Sequence, residues 1–148
     1  MEDAAFLAAL ERRWKRPLKL RFSERGMQDA APVSLFGLKT VEMLAAEIGT
    51  AIGHRRFRAN FYAEWKEGGA QFEDSLVGKT IQIGPELRVL IKERDPRCVM
   101  INLDPETGEQ DPAVLKTVAQ KHGACIGVYG VTVHEGVASV GDAIRVAP

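Results

Sequence analysis

The sequence predicts an α+β fold, a β-rich domain with a barrel-like sheet and about three peripheral helices. Three observations predict it. Short segments of alternating apolar and polar residues recur through most of the chain. Three other segments show helical spacing between recognisable start and stop residues. Turns rich in Gly, Pro and Asp join neighbouring segments. At 148 residues the chain has the size of one ordinary domain and can fold without disulfides or a structural metal. It carries no repeat, low-complexity tract or interdomain linker, so 1–148 reads as a single domain.

In chain order, Asp3 to Lys15 places Phe6, Leu7, Leu10 and Trp14 on one helical face, and Pro17 ends it. Leu18, Leu20 and Phe22 alternate with Lys19 and Arg21, a half-buried strand. Ser23 to Ala31 is a loop, followed by a short strand, Val33 to Phe36. Leu38, Val41, Ala45, Ile48 and Ile52 follow helical spacing, with Gly49 and Gly53 as stop signals. Arg56 to Tyr62 alternates as a strand, with Arg56, Arg58 and Asn60 on one face and Phe57, Ala59 and Phe61 on the other. Gly68-Gly69 marks a loop. Ile81 and Ile83, the turn Gly84-Pro85-Glu86, and Leu87, Val89 and Ile91 form a hairpin. Val99, Ile101 and Leu103 alternate as another strand. Asp104 to Gly108 is a turn, because Pro105 presets φ and Gly108 accepts a positive one. Asp111 caps a helix with Pro112 at its first position, burying Val114, Leu115 and Val118 and ending near Gly123. Ile126 to Val146 supplies two or three strands joined around Glu135-Gly136 and Gly141-Asp142.

Lys+Arg and Asp+Glu are both 20, so the net charge is zero and nothing draws the whole chain to nucleic acid or anionic lipid. No stretch approaches the ~20 apolar residues of a membrane span. The first residues lack the early positive charge and continuous apolar run of a signal peptide, so a cytoplasmic location is expected.

Two features carry chemistry. Cys98 follows Arg94-Asp95-Pro96-Arg97 at the start of the expected Val99–Leu103 strand. Nearby cations favour a thiolate, the form that ligates a soft metal or attacks sulfur, and Pro96 stiffens the approach. The competing reading is a buried, inert cysteine. The row Arg56, Arg58, Asn60 offers two guanidiniums and an amide to an oxyanion or phosphate. A solvated strand face with cross-strand ion pairs is the alternative. His54, His122 and His134 lack metal-ligand spacing, Gly123, Gly127 and Gly130 do not match a dinucleotide fingerprint, and Cys125 reads as a core strand residue. Cys98 and Cys125 are expected to be unbridged.

The run Arg56-Phe57-Arg58-Ala59-Asn60-Phe61 resembles the Arg-Phe-Arg-Pro-Asn signature of MOSC domains, with Ala59 in place of the usual proline. Pro96-Arg97-Cys98-Val99 followed by Asp104-Pro105-Glu106-Thr107-Gly108-Glu109 resembles their cysteine motif and the turn after it. Gly127-Val128-Tyr129 and Val140-Gly141-Asp142-Ala143-Ile144 are similar to the family's closing strands. Asp29 to Leu35 and Thr40 are similar to a looser upstream segment, in which Gly37 stands where many relatives carry serine. The resemblance covers Asp29 to Val146 and leaves 1–28 as a divergent or shortened N-terminal part.

MOSC domains take their name from the C-terminal domain of molybdenum cofactor sulfurases, and relatives include the amidoxime-reducing component. The resemblance implies a molybdenum cofactor (molybdopterin) with Cys98 as metal ligand and catalytic residue. It implies Arg58 and Asn60 on the cofactor, with Arg56, Arg97, Ser34 and Thr40 as further cofactor contacts. Reduction of N-oxygenated compounds is the sharpest implied activity, and it requires a separate electron-donor protein. A sulfur-carrier role is the alternative, with Cys98 bearing a persulfide supplied by a pyridoxal-phosphate-dependent cysteine desulfurase. A non-catalytic module of the same fold is the third.

Overall fold

The computed structural model describes residues 4–19, 31–66 and 68–147. Its elements in chain order are helix α1 (Ala4–Trp14), strand β1 (Val33–Gly37), helix α2 (Leu38–Ile48), strand β2 (Phe61–Ala63) and the short helix α3 (Ala70–Asp74). Strands β3 (Thr80–Ile83) and β4 (Leu87–Pro96), helix α4 (Pro112–His122) and strands β5 (Cys125–His134) and β6 (Ile144–Val146) complete it. The six strands form one mixed, curled half-barrel sheet in the order β2-β1-β5-β4-β3-β6. Only β1 and β2 pair in parallel. The α+β reading with a barrel-like sheet holds, but among the described residues strand residues do not outnumber helical ones. The helices comprise three of 11 residues each and the brief α3, which the sequence pattern did not reveal.

Period-two alternation divides the apolar side chains between two cores. Leu35, Ile81, Val89, Ile91 and Val128 gather in one, built from strands together with Trp65 and Leu76. Phe36, Phe57, Ile126 and the helix residues Leu44, Val114 and Val118 gather in the other. Leu35 and Phe36, neighbours on β1, thus seal opposite faces. Each large side chain removed from water contributes about 1.5–3 kcal/mol.

Local signals set several boundaries. Asp111 accepts a hydrogen bond from the Ala113 N–H at 3.0 Å, Pro112 opens α4, and Gly123 closes it at φ 63°. The β3–β4 hairpin pairs Ile81 with Val89 and Ile83 with Leu87 across the expected turn. Gly49 ends α2 in the left-handed conformation, φ 85°.

Two expected strands are corrected. Of Arg56–Tyr62, the first part is a 3-10 turn, His54–Phe57, followed by Arg58 in the left-handed region (φ 52°). Only Phe61–Ala63 is extended. The turn seats Arg56 against the Asn102 carbonyl and Asp104, and Phe57 on the Phe36 ring. Val99–Leu103 becomes a second 3-10 turn, Val99–Asn102. Asn102 is buried there and accepts the Leu115 N–H at 2.9 Å. None of α1's residues is buried, so its expected apolar face seals no core among the described residues. Leu18 and Lys19 are not in a strand; the remainder of the expected Leu18–Phe22 strand and the loop up to Ala30 lie outside the described residues.

Candidate active site

The site begins where β4 leaves the sheet. Antiparallel pairing carries β4 as far as Pro96 opposite Cys125. The Arg97 N–H then bonds to the Ala124 carbonyl at 2.8 Å. Cys98 follows as the residue that caps the Val99–Asn102 turn, with its thiol exposed. It therefore ends one strand and does not begin another. Neither neighbouring arginine bonds to the thiol. Arg94 pairs with Asp74 at 2.8 Å and donates to the His122 and Cys125 carbonyls. Cys125 is half-buried and not bonded to Cys98; both are free thiols.

Cys98 lies on a cleft of about 360 Å³. Arg56, Arg58, Asn60, Arg97 and Ser34 line the same cleft, with Phe57, Met100 and Tyr129 among its apolar walls. The structure thus brings together all the sequence-predicted site residues except Thr40. Thr40 is fully buried and donates its hydroxyl to Glu73 Oε1 at 2.9 Å. It belongs to the junction of α2 and α3.

The residues that share the cleft differ in what they already bond. Arg56 is 8% exposed; its Nη1 donates to the Asn102 carbonyl at 2.8 Å and its Nη2 to Asp104 at 3.0 Å. The Glu106 N–H, bonded to Asp104, lowers that carboxyl's pKa. Arg56 Nε is buried and has no partner among the described residues. Arg97 is more deeply enclosed, its side chain 6% exposed. Its Nε donates to the Ile126 carbonyl at 2.8 Å, its Nη1 to the Phe57 carbonyl at 2.9 Å, and its Nη2 lies 2.6 Å from Asp95 Oδ2. The Phe36 and Phe57 rings, stacked 4.1 Å apart, lie 5.2 and 5.5 Å from its guanidinium carbon. Burial lowers its pKa from the ordinary value, and Asp95 opposes that shift.

Ser34 and Asn60 lock each other in place. Asn60 Oδ1 accepts the Ser34 N–H at 2.8 Å and the Ser34 hydroxyl at 2.9 Å; the Asn60 N–H returns a bond to Ser34 Oγ at 3.0 Å. This leaves the Asn60 side-chain NH2 without a partner among the described residues. Arg58 is exposed, and its guanidinium likewise has no hydrogen-bond or ion-pair partner among the described residues. A guanidinium placed so is available to an anion.

Sequence reasoning missed two residues of the cleft. Asp95, 2% exposed, is the buried counter-ion of Arg97, and Tyr129 pairs across the sheet with Ser34.

The MOSC domain profile matches residues 23–145. This chain belongs to the MOSC domain family. Among solved structures, the crystal structure of YiiM from Geobacillus stearothermophilus is similar, with a TM-score of 0.61 and 16% sequence identity. The likeness covers 80% of this chain and 55% of that one, so the MOSC domain described here spans little more than half of YiiM's length. At that identity the shared property is the fold. No curated protein matches the sequence. Among the described residues, no helix is long and apolar enough to cross a membrane.

Proposed function

We propose that this MOSC domain holds the molybdenum cofactor, with the Cys98 thiolate as metal ligand and Arg58 and Asn60 on the pterin and its phosphate. One observation carries the reading: an exposed thiol shares a single cleft with a guanidinium and an amide NH2 that have no partner among the described residues. The residues fit the group. Molybdenum takes a soft sulfur ligand, and a guanidinium grips phosphate through paired hydrogen bonds. The buried Arg56 Nε, lacking a partner, is a donor that a ligand oxygen on the same wall would satisfy. Ser34 orients Asn60 by fixing its carbonyl oxygen, so that its NH2 faces a ligand without rotational freedom.

When bound, the group would supply electron and oxygen-atom transfer, the chemistry that reduces N-oxygenated compounds. No group of three or more potential metal ligands occurs among the described residues, and the electrons would come from a separate donor protein. The test is metal analysis of the protein made in a host that synthesises the cofactor. Wild type should carry molybdenum and Cys98→Ser should carry none while keeping its fold. A wild type without molybdenum would overturn the reading.

The exposure of Cys98 also favours the sulfur-carrier alternative. Its thiolate would attack the terminal sulfur of a desulfurase persulfide, forming a Cys98 persulfide and releasing the desulfurase cysteine as thiolate. Mass spectrometry after incubation with a cysteine desulfurase and cysteine would show one added sulfur on the Cys98 peptide. A chain with neither molybdenum nor added sulfur would be a non-catalytic module of the fold.

A further inference from the structure

We infer that Arg97 is the positioning residue of this cleft: it sets where the Cys98 thiol stands relative to the Arg58 guanidinium. The inference rests on the reading that Cys98 and Arg58 act as one site.

Those two groups come from separate parts of the chain. Arg97 is the residue before Cys98, and Phe57 is the residue before Arg58. The 2.9 Å bond from Arg97 Nη1 ends on the Phe57 carbonyl. That carbonyl and the Arg58 N–H belong to one planar peptide unit. The bond therefore orients the peptide that leads into Arg58's left-handed conformation, φ 52°. The other end of the same guanidinium is tied by Nε to Ile126 on β5 and by Nη2 to Asp95 on β4. One buried cation thus connects the strand end that carries Cys98, its neighbouring strand and the turn that carries Arg58.

The sheet is shaped around this side chain. Between β4 and β5 the pairing moves from Arg94 opposite Val128 to Pro96 opposite Cys125, so β5 has one residue more than its partner. The bulge includes Gly127 at φ 80°, a conformation that favours glycine. A Cβ there would lie 2.8 Å from Arg97 Nη2 and 2.7 Å from Phe36. The bulge also breaks the alternation, so that Ile126 and Val128 enter different cores. Nε and Nη1 donate to carbonyls, and Nη2 pairs with Asp95 by charge without hydrogen-bond geometry. The guanidinium is thus committed to the protein and acts on a ligand through Cys98 and Arg58.

The test compares alkylation of Cys98 by anionic iodoacetate and by neutral iodoacetamide, followed on the Cys98 peptide by mass spectrometry. A cation held near the thiol raises the iodoacetate-to-iodoacetamide ratio, by roughly threefold or more over a free thiol. Arg58→Ala should abolish that excess. Arg97→Lys keeps a cation for Asp95 but cannot also reach the Phe57 and Ile126 carbonyls. It should lower the ratio toward the Arg58→Ala value while circular dichroism stays that of wild type. A folded Arg97→Lys variant with the wild-type ratio overturns the inference and leaves the proposed function standing. Should Arg97→Lys fail to fold, the charge-balanced double variant Arg97→Gln/Asp95→Asn decides: it removes the guanidinium bridge without stranding a buried charge, and an unchanged ratio there overturns the inference. If Arg58→Ala itself leaves the ratio unchanged, Cys98 and Arg58 are not one site and both readings fall.

Discussion

Arg56 and Arg97 on one side, and Arg58 on the other, line one cleft with opposite commitments. The first two are buried and bonded to backbone carbonyls and to Asp104 or Asp95. The third, two residues from Arg56 in sequence, is exposed and has no side-chain partner among the described residues. The comparison teaches that a basic motif is not a ligand-binding unit merely because its residues meet. Desolvating a guanidinium is costly unless its N–H groups are satisfied, so burial and bonding to protein go together. A ligand falls to the residue left out of that arrangement. The buried pair shapes the wall, and Arg58, Asn60 and Cys98 are left exposed on it.

The largest expected effect breaks the buried side. Arg97→Ala leaves Asp95, 2% exposed, as a buried carboxylate without its cation. It should cost about 3–5 kcal/mol in denaturant unfolding. The double variant Arg97→Ala/Asp95→Asn should lose less than the sum of the two single changes. Strict additivity would show that the 2.6 Å approach contributes no coupling.

A second buried carboxyl sharpens the contrast because it has no contacting counter-ion among the described residues. Glu73 is fully buried; Oε1 accepts from the Gly37 N–H, the Thr40 hydroxyl and, at 3.4 Å, Trp65 Nε1. Oε2 has no partner among the described residues. Gly37 fits here, since a Cβ would strike Glu73 and Trp65. Burial pushes the Glu73 pKa from 4.5 up to about 7, against the three donors and the Arg97 cation. The folded state thus holds its proton more tightly than the unfolded chain. The stabilisation is complete below pH 4.5 and is lost as pH rises to about 7. That loss amounts to roughly 2–3 kcal/mol. Glu73→Gln should remove this pH dependence and be the more stable protein at pH 8. A wild-type stability that rises across the window, with other carboxylates accounted for by the variant, would refute the assignment.

On the rim, Arg58→Lys should leave stability nearly unchanged and weaken retention of the molybdenum cofactor by roughly 1.5–3 kcal/mol, the value of a lost charged hydrogen bond. Equal molybdenum content after dialysis of both proteins would place Arg58 outside the binding set.

How much of this was legible depends on the range of the forces involved. The hairpin and α4 were readable because their determinants are local: Gly84-Pro85-Glu86 in one, Asp111-Pro112 and Gly123 in the other. The strands expected at Arg56–Tyr62 and Val99–Leu103 were misread because alternation does not distinguish a strand from a 3-10 turn whose neighbours are buried by distant partners. Asp104 holds Arg56 from 48 residues away, and Phe36 stacks on Phe57. Cys98, Arg58 and Asn60, singled out by their motifs, line one cleft, but not through a shared strand face. Arg58 sits in a left-handed turn and Asn60 is held by Ser34. Nothing in the sequence places the Phe57 carbonyl within reach of Arg97.

The smallest effect separates stability from function at a single residue. Arg58 holds φ 52° without the freedom of glycine, a conformation that costs an L-residue roughly 1–2 kcal/mol. The side chain recovers nothing from packing or pairing among the described residues, so the fold alone does not explain an arginine here. Such strain persists where a site needs a side chain at that point. Arg58→Gly relieves it but adds entropy to the unfolded chain, about 0.5–1 kcal/mol. The net should be a slight gain, of several tenths to about 1 kcal/mol, with a correspondingly higher melting temperature. The same variant should lose the preference of Cys98 for iodoacetate and release molybdenum on dialysis. An Arg58→Gly protein less stable than wild type would mean that the guanidinium does bond within the fold. The two sides of the cleft would then differ in degree only.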